Sequence, residues 1–120
     1  MSLHARPATR ADIAQWYPET TCSFRAWVCE IDDEPKGIIG ISLARPIATL
    51  FSTFDEELRP HLRSLTVMRL IKNAQAACRE TALPVFAVAS PEEATAPGIL
   101  SRLGFEPFGE VDGDHVWRLS

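Results

Sequence analysis

The most regular pattern of apolar residues lies in the middle of the chain, between His61 and Thr81. Six apolar residues recur there at intervals of three or four: Leu62, Leu65, Met68, Ile71, Ala74 and Cys78. The charged and amide side chains of this segment fall mostly at other positions. Because this spacing puts side chains on one face of an α-helix, the pattern predicts a long amphipathic helix over 61–81.

Strands and tight turns are predicted before this helix. A short strand, LHAR, opens the chain, and a brief helix follows with Thr9 as its N-cap and Pro18 as its end. The β-rich runs SFRAWVCEID and KGIIGISLA are joined by DEPKG, in which Pro35 and Gly37 indicate a hairpin turn. A further run, PIATLFSTF, extends this hairpin into an antiparallel meander.

The pattern after the long helix predicts one more strand, one more helix and a closing hairpin. The continuous apolar run LPVFAVAS is typical of a central strand covered on both faces. Ser90 then caps a helix that Gly104 ends, because glycine adopts the left-handed conformation of a helix stop. Asp112 and Gly113 form the last turn. The order predicts a single α/β domain over 1–120, with a mixed, mostly antiparallel sheet and helices on both faces.

Composition and charge narrow the class of protein. The 120 residues are 46% apolar and 23% charged, with a formal net charge of −4. An acidic chain lacks the basic surface that nonspecific nucleic-acid binding requires, so we expect no nucleic-acid partner. No apolar stretch approaches the length of a membrane span, and the opening MSLHARPATR has no apolar leader core. We therefore expect a cytoplasmic protein with no membrane partner.

Cysteine and histidine do not form a metal-binding pattern. The three cysteines include no Cys-x-x-Cys pair, and the three histidines are scattered along the chain. We expect no metal site, and we expect the cysteines to act as small apolar residues of the core.

Four segments of the chain resemble the elements of one known family. ARPATRADI is similar to its first strand and helix start, and VCEIDDEPKGIIGI to its second and third strands. PVFAVAS resembles its fifth strand, and APGILSRLGFEPFG its fourth helix with a Leu-Gly-Phe exit. That family is the GNAT superfamily of acetyl-CoA-dependent N-acetyltransferases. The resemblance covers nearly the whole chain and implies a GNAT-like fold, and the short length resembles forms encoded by phages and prophages.

The resemblance implies acetyl-CoA as the cofactor. In the family, the fourth strand lies beside the pantetheine arm, and backbone N–H groups of a glycine-rich loop bind the pyrophosphate at the start of the long helix. The matching loop here is RSLTVM, in which Thr66 and Met68 replace the two glycines. The implied cofactor residues are those of the strand and the loop: Phe51, Ser52, Thr53, Arg63, Ser64 and Thr66. Since a backbone without glycine approaches a phosphate less closely, acetyl-CoA binding is left open.

The same loop region carries a basic cluster, formed by Arg59, His61 and Arg63. Its position favours binding of an anion. Alternatively, the arginines pair with the acidic residues 55–57 at a solvated helix start.

Three side chains are candidates for proton transfer in an otherwise unassigned catalytic site. Many family members have a proton-donating tyrosine in the fourth helix, but that position is Leu100 here, and the only tyrosine is Tyr17. Tyr17 or His61 would have to supply the proton instead. Glu56, directly after the fourth strand, could act as a general base through water, although three adjacent acids are also typical of a solvated loop.

Two classes of function stay open. An active member would transfer an acetyl group to a small-molecule amine or a protein amine, whereas a catalytically silent member would use the scaffold for binding or as a phage-related structural component. Residues 8–22 have room for one helix where the family has two, so the acceptor side should be open. Whether the protein forms a homodimer is also left open by the sequence. We further expect the fourth and fifth strands to diverge, because the family opens a cofactor cleft between them.

Overall fold

The computed structural model describes residues 2–89 and 96–119. Within these residues, seven strands and three α-helices follow the order that the sequence predicts. The elements are β1 Leu3–Pro7, α1 Arg10–Trp16, β2 Ser23–Ile31, β3 Glu34–Ala44, β4 Ile47–Phe54, α2 Leu65–Glu80, β5 Val85–Ala89, α3 Ala96–Arg102, β6 Phe105–Val111 and β7 Asp114–Leu119.

The seven strands form one sheet in the order β1-β2-β3-β4-β5-β7-β6. Every neighbouring pair is antiparallel except β4 and β5, which are parallel and are connected through α2. Parallel neighbours need such a crossover, because a tight turn cannot return the chain to the same end of the sheet. The predicted fold class, a mixed and mostly antiparallel sheet in an α/β arrangement, is confirmed.

Alternate residues of the central strands face two separate cores. Ile39 and Ile41 of β3 are buried in the core that contains α2 and α3, whereas Ile38 packs with Ile13 of α1. Because successive side chains of a strand point to opposite faces, α1 lies on one face of the sheet, and α2 and α3 lie on the other. The larger core is under α2 and α3.

An ionic cluster joins the first strand to the first helix. Thr9 and Asp12 form a capping box at the start of α1. Arg6 of β1 donates hydrogen bonds of 2.7 and 2.9 Å to the two carboxylate oxygens of Asp12, and a third of 3.1 Å to Glu30 of β2. The Arg6 guanidinium holds the pKa of Asp12 well below its usual range, so this buried carboxylate stays charged.

The first hairpin does not turn where the sequence predicts. Its turn consists of Asp32 and Asp33, with φ angles of 49° and 70°, because aspartate tolerates the left-handed conformation of a two-residue turn. Pro35 and Gly37, the predicted turn residues, lie inside β3. Gly37 serves packing there, since a Cβ would come within 2.5 Å of the Leu58 side chain.

The long helix begins later than the apolar pattern predicts. Ser64 is its N-cap, and its Oγ accepts a hydrogen bond from the N–H of Val67 at 3.3 Å. The residues before it form a separate 3₁₀ turn, Arg59–His61. Because a 3₁₀ helix has three residues per turn, apolar residues can recur every three positions before α2 begins. The apolar spacing therefore does not mark the start of the helix.

The fifth strand is covered on one face rather than both. Val85 and Ala87 are buried, but Val88 on the opposite face is 57% exposed. The prediction of a strand covered on both faces is wrong, because α2 and α3 lie on the same side of β5 and α1 packs farther along the sheet, near β2 and β3.

The closing elements follow the prediction. Gly104 has a φ of 94° after α3, and Asp112 and Gly113 form the last turn with φ angles of 52° and 86°. The predicted cap Ser90 lies outside the described residues. β6 is an edge strand whose register shifts between Pro107 and Gly109, which leaves Phe108 as an extra residue in a β-bulge.

Candidate active site

The sheet opens between β4 and β5. The two strands pair only from Ala48 to Leu50 on β4 and from Val85 to Ala87 on β5. β4 continues to Phe54 in full register with β3, so its other edge has no strand partner beyond Leu50 among the described residues. The predicted divergence of the two strands is confirmed.

A cleft of about 590 Å³ occupies this gap and reaches both faces of the sheet. Tyr17, Phe51 and Thr53 line it on the α1 side. The lining on the opposite side includes Ser52, Phe54, Leu62, Ile99 and Leu100. Three predicted cofactor residues, Phe51, Ser52 and Thr53, therefore lie together along one wall.

Tyr17 brings the only phenol of the chain to this cleft. It follows α1, where its N–H donates to the carbonyl oxygen of Ile13, and its ring contacts the Phe51 ring edge-on with centroids 5.2 Å apart. Its hydroxyl hydrogen bonds the Thr53 hydroxyl at 2.5 Å. Burial raises the pKa of Tyr17, and the bond to Thr53 offsets this only in part. The phenol is therefore protonated at neutral pH.

A second cavity, of about 540 Å³, lies between α2 and α3. Arg59, Leu62 and Ile99 line both this cavity and the cleft, so the two lie side by side. Four cationic side chains line this second cavity: Arg59, Arg63, Lys72 and Arg102. We call it the basic groove.

The loop at the mouth of the basic groove differs from a glycine-rich phosphate loop. The Ser64 hydroxyl already accepts a hydrogen bond from one of the first N–H groups of α2, that of Val67. The Met68 side chain lines the groove, at the position where the resembling family has its second glycine. An anion here would meet cationic side chains rather than a nest of bare backbone amides.

The structure brings only some of the predicted residues together. Arg63 lines the basic groove, whereas Ser64 and Thr66 are half-buried and line neither cavity as the structure describes them. Of the three candidates for proton transfer, Tyr17 alone lines the cleft. Glu56 is exposed on the turn after β4, and His61 is half-buried in the 3₁₀ turn, both outside the two described linings.

Lys72 and Arg102 were not predicted from the sequence. Each is an ordinary basic residue on a helix, and their meeting depends on how α2 and α3 lie side by side. Their only signal in the sequence is that both are cationic in an acidic chain.

No protein-family model and no curated protein matches the sequence. Solved structures do match it over almost its whole length. The ribosomal-protein-S18-alanine N-acetyltransferase of Escherichia coli is 15% identical, with a TM-score of 0.63 over 98% of this chain and 93% of that chain. The PaiA N-acetyltransferase of Thermoplasma acidophilum, solved with coenzyme A, is 10% identical, with a TM-score of 0.69 over 100% and 99% of the two chains.

A GNAT-family acetyltransferase of Streptococcus pneumoniae is 16% identical, with a TM-score of 0.64 over 98% of each chain. The protein has the GNAT fold. At these sequence identities, the similarity establishes the fold and does not by itself establish the activity. The GNAT fold also accounts for the gap between β4 and β5, which the sequence resemblance predicted.

Two further features of the GNAT domain concern membranes and metals. Within residues 2–89 and 96–119, no helix has the length and apolar character needed to span a bilayer. The same residues contain no group of three or more His, Cys, Asp or Glu side chains that could hold a metal ion.

Proposed function

We propose that this protein is an acetyl-CoA-dependent N-acetyltransferase. The observation that carries the proposal is that the cleft and the basic groove lie side by side and share three lining residues. The cleft contains a phenol beside an open strand edge, and the basic groove contains four cationic side chains between two helices. Acetyl-CoA has the matching polarity, with a thioester and two amides at one end and phosphates at the other.

The strand β4 suits the amide-bearing arm of the cofactor. Beyond Leu50, its backbone N–H and C=O groups face the cleft without a strand partner among the described residues. An extended chain with amide groups can bind such an edge in the manner of an added strand. Phe51, Ser52 and Thr53 would hold this arm.

The basic groove suits the phosphates through side chains. Arg63 stands at the position where the resembling family has a basic residue, and Lys72 and Arg102 line the same groove. Guanidinium groups bind phosphate oxygens in pairs, which offsets the lack of glycine amides. The residues present therefore fit an anionic nucleotide, with Arg63 as the principal contact.

Tyr17 is the residue that we assign to proton donation. Bound acetyl-CoA supplies a thioester carbonyl that an amine attacks, so that the C–N bond forms as the C–S bond breaks. The Tyr17 hydroxyl, protonated and oriented by Thr53, then gives its proton to the departing sulfur. The acceptor amine releases its own proton to water at the open side of the cleft, and that proton restores the phenol through solvent.

A catalytically silent GNAT domain is the second candidate. The observations that favour it are the Met68 side chain in the basic groove and Leu100 at the usual tyrosine position. Such a protein would bind coenzyme A or another anion without transferring an acetyl group. The acceptor amine, the resemblance to phage-encoded forms and a cytoplasmic location stay predictions.

Two measurements on the purified protein test these candidates. Thermal-shift titrations with coenzyme A and with acetyl-CoA should raise the melting temperature, because a ligand selective for the folded state stabilises it by about 2.7 kcal/mol at 100 times its Kd. Release of free thiol should then be followed with a panel of small amines and peptides. Binding with thiol release supports the enzyme, binding without release supports a silent domain that holds coenzyme A, and no binding of either ligand rejects the enzyme.

A further inference from the structure

Exposed apolar residues are concentrated on one face of the sheet. Five large apolar side chains are exposed in the described residues, and four of them lie on the face opposite α2: Ile47, Val88, Phe108 and Val111, exposed by 38, 57, 60 and 58%. The fifth, Leu65, lies at the start of α2. Strand alternation assigns Ile47 and Val88 to this face, because their neighbours along β4 and β5 face the core under α2.

The side chains on this face touch one another across the strands. Phe86 of β5 contacts Phe108 of β6 in an edge-to-face pair with centroids 5.6 Å apart. The guanidinium of Arg118 on β7 lies 5.8 Å from the centre of the Phe108 ring, and Val116 pairs with Val88 in the register of β5 and β7. These residues, with Val111, form one continuous surface that we call the open face.

The helix on this side of the sheet does not reach the open face. α1 packs through Ile13 against Ala26, Val28 and Ile38, which belong to β2 and β3. The remaining described elements on this side are the strands themselves. The open face is thus an apolar patch of a kind that monomeric proteins usually cover.

The charges on the open face are self-complementary. Along β7, Asp114, Val116 and Arg118 point to this face in turn, so an acid and a base lie on either side of a valine. Glu106 lies beside Arg118 on the adjacent strand. A two-fold axis in the plane of the interface, crossing β7 at Val116, would set Arg118 of each copy opposite Asp114 of the other.

We propose that the open face binds a second copy of this chain, forming a symmetric dimer by face-to-face packing of the two sheets. A partner of one dominant charge would match only half of this surface, whereas a second copy matches both signs. The four strands from β4 to β6 span about 14 Å between their outer axes at the usual strand spacing, and five residues along them span about 17 Å. A stable interface buries about 800 Å² on each partner, and this patch is smaller than that, so the dimer is weak and reversible.

The dimer would complete the wall of the candidate active site. Val88 lines the cleft and also belongs to the open face. The second copy would therefore extend the wall of the cleft beside Val88. The interface itself does not depend on the proposed enzymatic function, because its evidence is the surface alone.

Sedimentation equilibrium of the full chain over about 1–500 µM tests the proposal. We expect a monomer–dimer equilibrium in the micromolar range for the wild type. Phe108→Asp should weaken dimerisation at least tenfold, since it places a carboxylate among the apolar side chains of the open face. Leu65→Asp is the matched control, because it makes the same change at an exposed apolar residue outside the open face, and its dimerisation should equal that of the wild type.

A charge-swap mixture tests the symmetry. Asp114→Arg and Arg118→Asp, each alone, set like charges against each other and should be monomeric, with circular dichroism spectra of the folded protein. Mixing the two variants restores both opposite-charge contacts, so a heterodimer should form. A wild type that stays monomeric throughout the concentration range overturns the proposal. So does a dimer that Phe108→Asp leaves intact, or a mixture of folded swap variants that stays monomeric.

Discussion

The two halves of the sheet are held in different ways. β1 to β4 pair along their whole lengths, and helices pack on both faces of β2 and β3. β5, β7 and β6 join them through three residue pairs between β4 and β5, and one of their faces is open. The candidate active site lies along this junction, where strand pairing stops and one strand edge becomes available to a ligand.

This comparison indicates a division of roles. The N-terminal half supplies the fixed wall of the cleft, since Phe51 to Thr53 belong to a strand paired with β3 throughout. The C-terminal half supplies the opposite wall and the surface that we assign to a second copy. Substitutions in the two halves should therefore have different consequences, the first for folding and the second for association.

The sharpest test compares one glycine from each half. A Cβ at Gly40 in β3 would overlap the Arg25 carbonyl oxygen and the Ala26 side chain, whereas one at Gly109 in β6 would meet no described heavy atom within 4 Å. Gly40→Ala should lower the free energy of unfolding by about 3 kcal/mol or more, and Gly109→Ala by less than about 0.5 kcal/mol. Urea unfolding of both variants measures this, and equal losses would contradict the comparison.

Tyr17→Phe tests the junction itself. Removal of the phenolic hydroxyl should lower kcat about 100-fold, equivalent to about 2.7 kcal/mol in the barrier, because the departing sulfur loses its proton donor. The Kd for acetyl-CoA should stay within about twofold, since the ring and its contact with Phe51 remain. Thr53→Val is the companion variant, and it should lower kcat less. A Tyr17→Phe enzyme with wild-type kcat would remove Tyr17 from the mechanism.

Asp12→Asn tests the ionic cluster of the N-terminal half. It removes the charge that pairs with Arg6, and we expect a loss of about 2 kcal/mol in stability at neutral pH. The pKa of Asp12 is lowered on folding, so its contribution is fully present above the unfolded pKa of about 3.9 and is lost as the pH falls toward the lower folded value. The difference in stability between wild type and variant should therefore shrink progressively as the pH falls below about 4, in urea titrations at each pH. A constant difference across that range would assign the effect to packing.

Arg63→Ala tests the basic groove and should have the smallest effect. Loss of one phosphate contact should weaken coenzyme A binding about tenfold, or about 1.4 kcal/mol. Arg69→Ala is the matched control, because Arg69 is exposed on α2 and lines neither cavity as described. Isothermal titration calorimetry measures both. A larger loss in Arg59→Ala than in Arg63→Ala would transfer the principal role to Arg59.

The order of elements could be predicted because each has a local cause. The apolar spacing of α2, the alternation of the strands and the Asp112–Gly113 turn all act within a few residues. The exact positions of the first hairpin turn and of the start of α2 could not be predicted, since two competing signals are present at both places. Asp32 and Asp33 turn the chain although Pro35 and Gly37 are stronger turn residues in general, and Ser64 caps a helix whose apolar spacing extends before it.

The candidate site was predictable only where it follows one element. Phe51 to Thr53 could be assigned because a single strand carries them. The contact between Tyr17 and Thr53 joins residues 36 positions apart, and the basic groove joins Lys72 of α2 to Arg102 of α3. Such pairs depend on how helices dock on the sheet, which no local pattern in this sequence encodes.

The short ladder between β4 and β5 also bears on how the chain folds. The β2–β3 and β6–β7 hairpins close across two-residue turns, so each can form early and at little entropic cost. Leu50 meets Ala87 only after the whole of α2 has crossed the sheet. We therefore expect the rate-limiting step of folding to be the docking of the C-terminal hairpin and β5 onto a preformed N-terminal meander, with the cleft as the last feature to take shape.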